Sequence, residues 1–393
     1  MKIFRISATL MCAALISILL TMTVAASEPV KSDKFNLLIN GDKVVFGNNA
    51  PVIVNGTTLL PLRFVFEQLN GDKLDWNDVE RLATLTRGET IVKLWIDTGK
   101  AEVNGTEWKL DVAPIIYNNN TYVPLAFLAN AFDMSVFWDA GSFTAYIADN
   151  ERLYRIAELI NNNSETNPNR PKMSFDMILD FEMKVRMSGE PDENMHMRME
   201  GKIQQDYANK FQHMNLTTII DGEKVLLESY DDGNAMYMII DDMVIKTDSV
   251  IEIVDEFISA PFLGFEIERR LYSGLKLVED NKTITVSGDL FIPNELLGEI
   301  LSEMIGMEEF AQIMVGMDIK YPEPINMVMV FDRETGLMVS MKVQFALEMS
   351  MKLFGEEIFG YFKYAIDMPR IEYGGEFDTT VPSEIIAKAV EFY

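Results

Sequence analysis

The chain has 393 residues, a formal charge of −27 and one cysteine, Cys12. That length suits two or three domains, and the acidity argues against a nucleic-acid partner, whose phosphates would be repelled. A lone cysteine excludes a disulfide scaffold.

At the N-terminus, Lys2 and Arg5 precede a largely apolar run from Ala8 to Val24, and Val24-Ala25-Ala26 has the small-residue spacing of a signal-peptidase site. Residues 1–26 therefore read as a secretory signal cleaved after Ala26. An uncleaved anchor is the alternative, because the apolar run approaches the length that spans a bilayer. Cleavage would remove Cys12 and leave the mature chain without a thiol nucleophile.

The next stretch is written twice. Ala50-Pro51 opens one copy, followed by the apolar Val52 to Val54, Asn55-Gly56, and Thr57 to Leu60. This is the pattern of a β-hairpin with a positive-φ turn. Pro61 suits the first turn of a helix, where its missing N–H costs nothing. Leu62, Val65, Phe66 and Leu69 then share one helical face, and Asn70-Gly71 ends the helix. The second copy runs from Ala113-Pro114 through Pro124, with Leu125, Leu128, Ala129 and Phe132 on the corresponding face. Each copy follows an Asn-Gly turn (Asn40-Gly41, Asn104-Gly105), and each is succeeded by a Trp (Trp76, Trp138) and a short strand (Leu82 to Thr86, Phe143 to Ile147). An internal repeat of this kind specifies one supersecondary unit used twice.

With these motifs, residues 36–150 resemble the copper amine oxidase N-terminal-like (stalk) domain of secreted Gram-positive proteins. Its pattern runs Asn-Gly, Ala-Pro, Asn-Gly-Arg-Thr, Val-Pro-Leu-Arg-Phe and Trp-Asp. The first copy keeps Pro61-Leu62-Arg63-Phe64, whereas the second has Pro124-Leu125-Ala126-Phe127. Any role for the arginine is thus confined to one copy. The resemblance implies a fold and an extracellular setting, and says little about activity.

Residues 151–172 read as a short helix, Glu151 to Ile160, and a linker, Asn161 to Pro171, that has no aliphatic or aromatic side chain. From Met173 onward the texture changes, with 22 of the 26 methionines and one strand pattern after another. Phe181 to Met187, Met195 to Met199 and Met341 to Phe345 alternate. Met327 to Phe331 is a continuous apolar run, expected of a strand buried on both faces. Two helical inserts are expected, one with a capping box at Ser249 and Glu252 and a stripe of Val250, Ile253, Val254, Phe257 and Ile258. The other begins at Asn294 and carries Leu297, Ile300, Leu301, Met304 and Ile305. A last short helix follows Pro382.

The expected class is α+β: a duplicated β-hairpin/helix domain at 36–150, then an antiparallel unclosed β-barrel with helical inserts at 173–393. With the strand pair from Tyr237 to Lys246 and the Pro382 exit segment, the second part resembles the LolA/LppX-like lipoprotein fold. That resemblance implies carriage or sensing of lipids or other hydrophobic ligands.

Catalytic signatures are missing. An amine oxidase needs a histidine cluster for copper and a cofactor tyrosine that follows an asparagine, but the chain has only His196 and His213 and no Asn-Tyr pair. His-Glu-x-x-His, Gly-x-Ser-x-Gly and the phosphate loop are also absent. No catalytic residue, cofactor or metal site is expected. Met195, Met197 and Met199 beside His196 are soft donors of the kind that select Cu(I). The spread of methionine over the whole second part instead points to a deformable apolar lining, whether core or ligand pocket. The candidate lining is Met195, Met197, Met199, Met236, Met238, Met327 and Met329. The expected function is a non-catalytic, secreted cell-envelope protein that binds a cell-wall polymer or envelope protein. Carriage of a lipid or other amphipathic molecule in the half-barrel is the alternative.

Overall fold

The computed structural model describes residues 29–32, 34–163, 171–187, 191–240, 243–249, 269–290, 318–320, 322–353 and 356–391. The expected signal segment and the expected helical inserts beyond Ser249 and Asn294 lie outside the described residues. So does most of the expected linker. Two compact units emerge, one containing Val45–Phe132 with the residues up to Phe35, the other Asn36–Val44 with Asp133 onward. No described helix is long and apolar enough to cross a membrane.

In the first unit, Val52–Val54 and Thr57–Pro61 form a hairpin across Asn55-Gly56, whose φ angles of 50° and 78° are those a tight hairpin turn requires. Helix α1 (Leu62–Gln68) starts directly after Pro61. Ile115–Tyr117 and Asn120–Pro124 form the corresponding hairpin, followed by α2 (Leu125–Ala131). The inward stripes of both helices are buried, including Val65 and Leu69 on α1 and Leu128 and Ala129 on α2. The hairpins join through their second strands, pairing Tyr122 with Pro61, Val123 with Leu60 and Pro124 with Leu59. Leu60 and Val123 precede the equivalent prolines, so the two copies meet about a local two-fold axis through that pair. A separate five-stranded meander runs from Lys73–Asn77 to Thr106–Lys109.

The second unit begins with a small sheet. Met134–Asp139 and Thr144–Asp149 form a hairpin, and Asn36–Ile39, far earlier in the chain, adds to it in parallel. The Asn40-Gly41 turn is therefore held by the strands that end the second copy. Asn40 Nδ2 donates to Asp149 Oδ2 at 2.6 Å, and Asn40 Oδ1 accepts from the Asp149 amide and from Arg152 Nε. Burial pulls the Arg152 guanidinium down to about 10, partly offset by Asp149 and Asp42. Helix α3 (Asn150–Asn162) follows and buries Leu153, Ile156, Leu159 and Ile160.

The expected linker starts later than its composition suggests. Asn163 is buried, with Nδ2 donating to the carbonyls of Leu159 and Gly336 and Oδ1 accepting from the Met338 amide. A short amide side chain closes the helix end and ties it to a strand at once. A polar run can therefore be structural.

The rest is one antiparallel sheet, numbered here along the chain. Its members are β1 (Met173–Met187), β2 (Glu193–Asp206), β3 (Phe211–Ile220), β4 (Glu223–Asp231), β5 (Ala235–Ile240), β6 (Met243–Asp248), β7 (Leu275–Glu279), β8 (Thr283–Leu290), β9 (Asp318–Lys320), β10 (Ile325–Asp332), β11 (Met338–Leu353), β12 (Glu356–Tyr373) and β13 (Ala389–Glu391). The order is β7-β8-β10-β11-β12-β1-β2-β3-β4-β5-β6-β13, with β9 beside β11. Among the described residues the two end strands do not pair, so the sheet is unclosed. Only the last contact, β6 with β13, is parallel. β10 departs from the expected burial on both faces: Met327, Met329 and Phe331 are fully buried while Val328 and Val330 are partly exposed. Only one face of this strand packs under α3, as is usual for an antiparallel sheet.

Candidate functional site: the thioether face of the long sheet

Side chains of directly paired residues point to the same side of a sheet, so the register can be followed from strand to strand. On β1 and β2, Met183 pairs with Met195, Phe181 with Met197 and Leu179 with Met199. Met199 then pairs with Thr218 on β3, in line with Met214, which pairs with Ser229 on β4. Ser229 pairs with Met238 and Asp231 with Met236. In the other direction Phe181 pairs with Tyr364, Tyr364 with Phe345, Ile366 with Val343 and Val343 with Met327. All seven candidate methionines therefore lie on one face.

Their environments differ along that face. Met327 and Met329 are sealed in the core that also holds Leu153, Ile156 and Leu159 of α3. Met236 is buried; Met195, Met197, Met199 and Met238 are half-buried. Toward the β3/β4 turn the same face carries apolar side chains open to solvent: Ile220 at 40%, Val225 at 43% and Met243 at 58% exposure. Between the sealed and open parts stand Phe181, Tyr364 and Phe345, with ring centroids 4.7 and 4.8 Å apart. Burial raises the Tyr364 hydroxyl above its ordinary pKa. These aromatics were not among the candidates, although the alternation through Met341 to Phe345 places them on this face.

The opposite face is mostly polar and charged, although it too exposes Leu226 at 62% and Val278 at 58%. His196, which alternation separates from Met195 and Met197, approaches Asp180 Oδ1 through Nε2 at 3.1 Å, and Arg198 pairs with the same carboxylate. The thioether-imidazole set suggested by proximity in sequence is thus split across the sheet. His213 stacks on Tyr230 at 4.2 Å between Gln204 and Glu228. Burial and the neighbouring Glu228 push the Tyr230 hydroxyl up to about 12. Among the described residues no three His, Cys, Asp or Glu side chains converge as metal ligands. What this arrangement offers chemically is a graded apolar surface, covered by a helix in one part and open in another.

Comparison with known proteins gives two kinds of likeness. Solved structures similar to the chain include LprF from Mycobacterium bovis, at 10% identity over 58% of this chain and 97% of that one, with a TM-score of 0.26. A LolA superfamily protein from Nitrosomonas europaea is 9% identical over 58% of this chain and 97% of its own, with a TM-score of 0.17. At TM-scores this low neither likeness carries weight on fold or function. No curated protein matches the chain. The model of the copper amine oxidase N-terminal domain matches residues 38–147, spanning the paired hairpins, both seven-residue helices and most of the small sheet. That match places residues 38–147 in the copper amine oxidase N-terminal domain family.

Proposed function

We propose that the protein is an exported, non-catalytic binding protein of the cell envelope whose long sheet holds one amphipathic molecule with a flexible acyl-type chain. The observation that carries this reading is the thioether face, which runs from sealed core at Met327 and Met329 to open surface at Ile220, Val225 and Met243. A pure packing role accounts for the sealed part. It leaves the open part as a cost, since contiguous exposed apolar surface on a soluble protein marks a site of interaction. Methionine suits such a site because its unbranched thioether adapts to irregular partners. In this reading the copper amine oxidase N-terminal domain positions the sheet at the envelope.

The test is mass spectrometry of an organic extract from protein purified after expression without residues 1–26. The expected result is an acyl-bearing species in near-stoichiometric amount. An empty extract, together with failure to take up a fluorescent fatty acid, would leave the sheet as core and put any function on the repeat domain.

A further inference from the structure

The first unit contains a cleft of about 310 Å³ that neither the fold nor the sheet's ligand explains. One wall is α1, which presents Arg63 and Glu67 one helical turn apart; the indole of Trp76 forms another, and the second copy's turn brings Asn119 and Asn120. The indole is 39% exposed, and its Nε1–H donates to the Asp78 carboxylate, which fixes the ring's orientation. Asn120 Nδ2 donates to the Asn118 carbonyl at 3.2 Å. The Arg63 guanidinium, the Glu67 carboxylate and the Asn119 amide make no side-chain hydrogen bond or ion pair among the described residues.

The repeat supplies an internal comparison. The fold-bearing residues are kept in both copies: Pro61 and Pro124, Leu62 and Leu125, Phe64 and Phe127. The polar cleft residues are not. Ala126 stands at the position of Arg63, Asn130 at that of Glu67, and Gly56 and Thr57 at those of Asn119 and Asn120. Both copies fold with different residues at these places, so the polar set is not required by the fold.

We propose that this cleft binds a neutral glycan chain of β-linked pyranoses. An exposed, oriented indole offers a flat apolar surface to the C–H face of a sugar ring, one end apolar and the other wet. Guanidinium, carboxylate and amide groups are planar and pair two-pronged with neighbouring hydroxyls as donors, acceptors or both. The charges of Arg63 and Glu67 cancel, those of the adjacent Lys73 and Asp75 pair at 2.7 Å, and the Asp78 carboxylate beside the indole disfavours an anionic ligand. The chemistry is shared by the glycan strand of peptidoglycan and by polysaccharides without N-acetyl groups.

Titration calorimetry and tryptophan fluorescence of the mature chain, with the β-1,4-linked pentamers of N-acetylglucosamine and of glucose as probes, separate the sources. Binding is expected to at least one pentamer, and to the N-acetylated one alone if the source is peptidoglycan. Trp76→Ala and Arg63→Ala should each weaken it about tenfold or more, while Trp138→Ala in the other copy leaves it unchanged. Glu67→Ala, at an exposed helix position, repeats the test should Trp76→Ala fail to fold. No binding of either pentamer, or binding indifferent to all three cleft substitutions, overturns the proposal.

Discussion

Leu60 and Val123 are equivalent residues of the two repeat copies and also direct cross-strand partners, both with no solvent exposure. The repeat is therefore joined on itself: each copy completes its sheet with the strand of the other. Leu60→Ala should cost about 3 kcal/mol through the cavity it leaves. Because the pair shares one contact, combining it with Val123→Ala should be non-additive by about 0.5 kcal/mol or more. A double-mutant cycle in urea measures this, and simple additivity would refute the shared axis.

Two of the Asn-Gly turns with matching backbone angles, Asn40-Gly41 and Asn55-Gly56, should respond very differently to a methyl group. Gly56 has a φ of +78° and open space around it, so Gly56→Ala pays only the left-handed strain, about 1 kcal/mol. Gly41 has a φ of +83°, and a Cβ there would lie 2.6 Å from the Leu275 backbone. Gly41→Ala should be several-fold more damaging and should speed amide hydrogen exchange along β7. Equal effects at the two glycines would mean that the Asn40-Gly41 turn does not rest on β7.

Along the thioether face, substitutions should separate packing from ligand lining. Met329→Ala, in sealed core, should lower stability by about 2–5 kcal/mol. Met195→Ala and Met238→Ala should cost under about 1 kcal/mol and instead reduce uptake of a fluorescent fatty acid. If uptake survives both, these half-buried methionines do not line the ligand surface.

Acid should loosen the β7/β8 and β10/β11 turns. Backbone amides of Lys282 and Thr283 hold the Asp280 carboxyl below its ordinary pKa, helped by the Thr283 hydroxyl, and the Thr335 amide and hydroxyl do the same for Asp332. The folded state releases these protons more readily than the unfolded chain. Their stabilisation is thus complete above the ordinary carboxylate range and is lost as pH falls through the lowered folded values. The Asp280→Asn, Asp332→Asn double variant should be less stable than the parent at neutral pH and lose less between about pH 5 and pH 2. Urea midpoints across that range provide the check; identical slopes would rule out the two aspartates as acid-sensitive turns.

Periodicity and turn chemistry determined much of this protein by themselves. Pro61 and Pro124 mark helix starts, the i, i+3, i+4 stripes mark the buried faces, and Met195-His196-Met197 alternation already separates sulfur from imidazole, because those signals act within a few residues. Other relations needed the tertiary structure. Asn36–Ile39 pairs with Thr144–Ile147 at the end of the other copy as well as with Asp42–Lys43 across its own turn, Asn163 caps α3 and not a linker, and Arg63 lines one cleft with Asn119 of the other copy's turn. Local spacing sets which side of a strand a residue occupies. Which strands become neighbours is settled by burying apolar faces across long stretches of chain, and many alternating segments are alike in that respect.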